Sequence, residues 1–274
     1  MNRNHVLLCV AVIALAAGTA TFASQLDGAP QGPQSGGLDA KPKSKTAGVP
    51  SLKKDDSLAK PFKIAMEVSA GDEGAEVDVF FVGDAAIQLN NDDPPSVLVH
   101  YDLKDMSWRD PPKKQKVRLA DGVAWAEASA KKSRQSLQKV ADPKTKKFAA
   151  LTLDPSFETK LDGETLVMTN EAFEYRISSD QKFAEGQKTR FFAYDHLNAY
   201  RKAMTDRKLP PFAQLVVTKE LEKRAMIPSR LELTIRARER DFKLVSKLRI
   251  EEMSAEENRL VADALSRAKL GLAK

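Results

Sequence analysis

Polar and apolar residues alternate through much of the chain, and that period of two sets the expected elements. Phe62, Ile64, Met66 and Val68 share one side of a strand, with Lys63 and Glu67 on the other. The turn Gly71-Asp72-Glu73-Gly74 leads into a second apolar stretch at 77–82. Val97, Val99, Tyr101 and Leu103 mark a further strand. Asp162-Gly163 separates 157–161 from 165–169, a strong short hairpin signal. Phe173, Tyr175 and Ile177 keep the alternation, as do Leu231, Leu233 and Ile235. A turn at Arg240-Asp241 then precedes Phe242, Leu244, Leu248 and Ile250. One apolar and one polar face per strand predicts an antiparallel sheet.

Helical spacing interrupts these strands. Asp121 is placed to cap a helix over 122–140, whose apolar face is mostly alanine with Val123, Trp125 and Leu137. A second helix over 189–204 gathers Ala193, Leu197, Tyr200 and Met204 on one side. A third, over 212–225, is opened by Pro210-Pro211 and closed before Pro228. Ser254 and Glu257 form a capping box for a last helix carrying Val261, Ala264, Leu265, Ala268 and Leu272 on one stripe. The expected fold is α+β: a strongly curved antiparallel sheet, open and half-barrel-like, with helices packed on one face.

The first residues read differently. Arg3 precedes an unbroken apolar run over 6–17, and Thr21 and Ala23 are small residues suited to cleavage after position 23. This is the pattern of a secretory signal peptide over 1–23, too short for a membrane span. The sole cysteine, Cys9, lies inside it, so the mature chain is expected to be cysteine-free and exported, periplasmic or extracellular. Residues 24–60 hold 5 Gly, 4 Pro and no aromatic, which predicts a disordered linker. Residues 61–274 then read as one β-rich domain.

Charge adds a candidate surface. The chain carries a formal net charge of +6. Seven acids and no base fall within 71–95, whereas 104–147 holds 13 bases against 5 acids. Lys113, Lys114, Lys116, Lys131 and Lys132 are the candidate face for an anionic partner, a lipid headgroup or another envelope component. Nucleic acid is not expected, because export removes the usual access and no recognition motif occurs.

Catalytic signals are absent from the sequence. Apart from His5 in the signal segment, the histidines are His100 and His196. His100 and Asp102 share one face of a strand, read as an exposed polar face. His196 lies four residues from both Phe192 and Tyr200, which reads as a packed, hydrogen-bonded imidazole. No Gly-x-Ser-x-Gly and no phosphate-cradling glycine loop is present, and two histidines are too few for a three-histidine zinc site. No catalytic residue, metal or cofactor is assigned. Trp108, ahead of Asp110-Pro111-Pro112, and Trp125 read as core or edge filling rather than as ligand-stacking rings.

The block Leu209-Pro210-Pro211-Phe212-Ala213-Gln214-Leu215, with Glu220-Leu221, Ile227-Pro228 and the preceding Leu197-Asn198-Ala199, resembles one found in secreted bacterial proteins of unknown function. More loosely, the order of elements resembles the periplasmic lipoprotein carriers of the Lol type. That resemblance implies an open β half-barrel whose apolar face, covered by helices, holds acyl chains. The expected function is therefore non-enzymatic binding in the cell envelope, of an apolar or lipid-like ligand. The alternative is a structural or interaction protein whose core is filled by its own helices, and a hydrolase ranks third. Oligomeric state is not readable.

Overall fold

The computed structural model describes residues 60–90, 92–111, 115–206, 210–236 and 241–270. The expected signal segment and the expected linker up to position 59 lie outside them, as do Lys113, Lys114, the Arg240 turn position and Leu272.

Eleven strands form one antiparallel sheet. In chain order they are β1 (Phe62–Ala70), β2 (Glu73–Val82), β3 (Ala85–Leu89), β4 (Val97–Asp102), β5 (Ser107–Arg109), β6 (Lys116–Arg118), β7 (Glu158–Asp162), β8 (Thr165–Thr169), β9 (Phe173–Ser178), β10 (Arg230–Arg236) and β11 (Asp241–Glu252). Helices α1 (Leu119–Leu137) and α2 (Pro143–Leu153) separate β6 from β7. Helices α3 (Glu185–Asp206) and α4 (Phe212–Lys223) separate β9 from β10, and α5 (Ala255–Arg267) follows β11. The spatial order is β6-β5-β4-β3-β2-β1-β11-β10-β9-β8-β7. Two meanders thus run outward from the central β1–β11 pair.

The sheet is open and not curled, which corrects the expected curved half-barrel. Its edge strands β6 and β7 lie at opposite ends. Alternation reports which face is covered. Coiling needs bulges or glycine kinks that re-aim the strands. Among the described strands the register shifts once, between Gln88 and Leu89 on β3.

The helices also do not all lie on one face. Val79 and Phe81 of β2 point into the main core with α3 and α4, while Phe80 between them joins Ile87, Val97, Val261, Ala264 and Leu265 on the reverse side. Helix α5 therefore covers the back of β2–β4. Its N-terminus carries the expected capping box, Ser254 Oγ accepting from the Glu257 N–H at 3.1 Å. Lys63 on β1 binds Glu257 at 2.8 Å and Glu251 at 3.1 Å, pinning that end. Helix α1 starts three residues earlier than expected, at Leu119 rather than 122. Arg118 is the N-cap, and the Asp121 carboxylate accepts from the Arg118 N–H at 3.2 Å.

Beneath the sheet, aromatic side chains dominate. Phe62 and Phe81 stack with centroids 4.5 Å apart, and Tyr194 of α3 meets Phe81 and Tyr101 edge-on. The Arg190 guanidinium sits over the Phe62 ring at 4.8 Å. Gln88 donates to the Tyr194 hydroxyl, and the Tyr101 hydroxyl donates to Asn198, each at 3.0 Å. Burial of each such side chain is worth roughly 1.5–3 kcal/mol relative to exposure.

Candidate functional site

The back of β4 and β5 holds a polar cluster at the end of α5. Strand alternation puts His100 and Asp102 on the face opposite Val99 and Tyr101. The β4–β5 register then sets Arg109 against His100 and Ser107 against Asp102. The connecting turn is tightened by the Asp105 N–H donating to Asp102 Oδ1 at 2.9 Å. Met106, at φ 45°, takes the left-handed conformation immediately before Ser107.

The other wall comes from α5. The Leu270 N–H bonds the Leu265 carbonyl at 2.9 Å, and the Lys269 N–H bonds the Ser266 carbonyl at 3.0 Å. This pair of bonds is a Schellman motif, which normally places glycine at the left-handed position. Here that position is Lys269, at φ 54°. The reversal brings Lys269 and Leu270 against β4–β5. A cavity of about 140 Å³ results, lined by His100, Asp102, Ser107, Trp108, Arg109, Lys269 and Leu270.

The cavity's polar groups are incompletely satisfied. Ser107 is 1% exposed, and its Oγ has no hydrogen-bond partner; neither has the buried His100 Nε2. Among the described residues neither Arg109 nor Lys269 forms a side-chain ion pair or hydrogen bond. Asp102 is different, since Lys116 Nζ lies 3.8 Å away and binds Asp105 at 2.8 Å. Burial lowers the His100 pKa below the ordinary imidazole value; Asp102 opposes this shift and Arg109 and Lys116 reinforce it. The site is thus a neutral imidazole and a buried hydroxyl beneath a net cationic rim.

Two other arrangements carry less. Serine, histidine and aspartate do share one face here, but the Ser107 to His100 hydrogen bond that activates a hydroxyl nucleophile is not formed. A more open depression of about 370 Å³ lies at the β1–β2 hairpin and β11, lined in part by Glu67 and Lys247. Its carboxylate is already engaged, with Arg249 at 3.0 Å and Lys247 at 3.8 Å from Glu67.

The residues singled out from sequence fall in several places. Lys116 lies on β6, tied to Asp102 and Asp105. Lys131 and Lys132 are exposed on α1, and Lys113 and Lys114 lie outside the described residues. Lys131 is roughly 18 Å along α1 from its first residue at 1.5 Å per residue. His100 is half-buried behind α5 rather than on an exposed face. His196 packs between α3 and α4, and its Nε2 is 3.8 Å from Glu222, too long for a hydrogen bond. Trp108 is 2% exposed and fills the core against α1. Ser107, Arg109 and Lys269 were not singled out. The signal that finds Ser107 and Arg109 is the polar–Trp–polar alternation of 107–109. Lys269 needs the end geometry of α5.

Among the described residues no group of three or more His, Asp or Glu is arranged to hold a metal, and no helix is long and apolar enough to cross a membrane. No protein-family model matches the chain, and no curated protein matches its sequence.

Proposed function

We propose that the protein is an exported, non-enzymatic binding protein of the cell envelope that holds an anionic envelope component at its surface. The observation that carries this reading is the packing beneath the sheet. Phe62, Phe81, Tyr101 and Leu197 are at most 1% exposed, and their rings and side chains occupy the space an acyl chain would need. Polar bonds from Gln88 to Tyr194 and from Tyr101 to Asn198 lock that layer in place. Displacing it would strand buried polar groups at about 1–3 kcal/mol each. The interior therefore favours the filled-core reading over a lipid-like ligand held under the helices.

Charge supports the nature of the partner. The net charge is +6, and Lys131 and Lys132 are exposed on α1. Arg109 and Lys269 add two cations at the α5 end of the sheet, neither of them ion-paired among the described residues. Such charges draw anionic surfaces over about a Debye length, roughly 8 Å at physiological salt.

Native mass spectrometry of the protein purified from its producing cells tests the filled core. The bare polypeptide mass is expected. A stoichiometrically retained acyl lipid would contradict the reading.

A further inference from the structure

We infer that the cavity between β4–β5 and the end of α5 binds one small oxyanion, a phosphoryl group or one of similar size. The inference deepens the anionic-partner reading and rests on it for the identity of the molecule that presents the group. Four observations converge. The cavity volume, about 140 Å³, is large enough to admit a single such group. Two buried polar atoms, Ser107 Oγ and His100 Nε2, have no partner. Buried polar groups in folded proteins are almost always bonded, so an unpaired pair lining one cavity indicates a missing partner. Two cations, Arg109 and Lys269, line the same cavity without an ion pair among the described residues.

Backbone conformation supplies the fourth observation. Three non-glycine residues among those described have positive φ: Met106, Ala225 and Lys269. Met106 immediately precedes Ser107, and Lys269 is itself a lining residue. Left-handed backbone in residues with a Cβ is unfavourable and persists where surroundings enforce it. Glycine would relieve both positions, but at 269 it would remove the cation.

A water could bond the two neutral atoms, but it would leave both cations unmatched. A metal cation fits worse, since Arg109 and Lys269 repel it and Lys116 lies beside Asp102, the cavity's one carboxylate. An anion satisfies all four groups at once. The Ser107 hydroxyl donates to it, the guanidinium and ammonium pair with it, and the imidazole takes up a proton or turns its N–H toward it.

Nuclear magnetic resonance of the full mature chain tests the inference, with the His100 imidazole as the probe. Titration with inorganic phosphate should shift its resonances saturably at millimolar concentration. Ser107→Ala and Arg109→Gln should each weaken the affinity at least tenfold. Lys144→Glu, exposed on α2, should leave phosphate binding unchanged. Glycerol phosphate in place of phosphate separates the sources. Tighter binding of the ester points to a lipid headgroup, and equal binding points to the free ion. Failure of the wild type to saturate overturns the inference, as does wild-type affinity in folded Ser107→Ala and Arg109→Gln proteins. Saturable phosphate binding without vesicle binding would keep this site and remove the membrane partner. The reverse would remove the site alone.

Discussion

Met106 and Lys269 both hold left-handed backbone, at φ 45° and 54°; Met106 immediately precedes the cavity-lining Ser107 on the β4–β5 turn, and Lys269 lines the same cavity past the end of α5. A turn and a helix end that each forgo glycine at one site point to side chains or backbone positions that matter there.

Lys269→Gly should therefore separate stability from binding. Glycine relaxes the left-handed position, and stability should rise by about 0.5–1 kcal/mol in urea unfolding. Phosphate affinity should fall several-fold, because a rim cation is gone. A variant that is less stable, or that binds as well as the wild type, would show that the conformation has no link to the site.

Gly122 gives a prediction about the fold. A Cβ there would sit 2.9 Å from the Trp108 ring and 3.3 Å from Tyr200 Cβ. The Trp108 ring is rigid and buried, so it cannot yield cheaply. Alanine gains about 1 kcal/mol of helix propensity. Overpacking costs about 1–3 kcal/mol and should outweigh it. Gly122→Ala should lower the urea midpoint; an unchanged or higher midpoint would mean that α1 rides away from β5 at no cost.

His100 sets a pH dependence with a definite sign. Its folded pKa is lowered, chiefly by burial. Asp102 faces it from β4, Arg109 from β5 and Lys116 from β6, with Lys269 at the end of α5. The unfolded imidazole titrates near 6.5 and takes its proton first as pH falls. The contribution of neutral His100 is complete above that value and is lost progressively as pH drops toward the folded pKa. Melts from pH 8 to pH 5 should show a steeper loss for the wild type than for His100→Gln. Parallel curves would mean that the imidazole is no more buried than in the unfolded chain.

Long alternating strands and hairpins were legible in the sequence because one face of each is covered and the other is not. The Asp162-Gly163 hairpin and the Ser254–Glu257 capping box stand where their residues place them. Strand β3 was not legible. Ala85, Ala86, Ile87 and Gln88 are all buried, since α5 covers one side and α3 the other, and a strand buried on both faces loses its period. Strands β5 and β6 have three residues each, too few to show one. Helix α2 lay hidden in a charged stretch, although Asp142 and Pro143 are its N-cap and first residue. The amphipathic stripe of α5 showed that it packs, but not on which side of the sheet. The adjacency of His100 and Asp102 was readable. Their meeting with Ser107, Arg109 and Lys269 depends on strand register and on the end of α5, which no local pattern encodes.

Binding to vesicles of anionic phospholipid as a function of salt tests the central claim most directly. Surface recognition of an anionic partner predicts sedimentation with phosphatidylglycerol vesicles and none with phosphatidylcholine alone. Binding should weaken steeply between low and physiological salt. Each exposed lysine near the surface is worth about 1 kcal/mol. Lys131→Glu/Lys132→Glu should therefore cost at least tenfold in affinity in a protein that still folds. Absent binding, or binding indifferent to salt and to both charge reversals, would contradict the account.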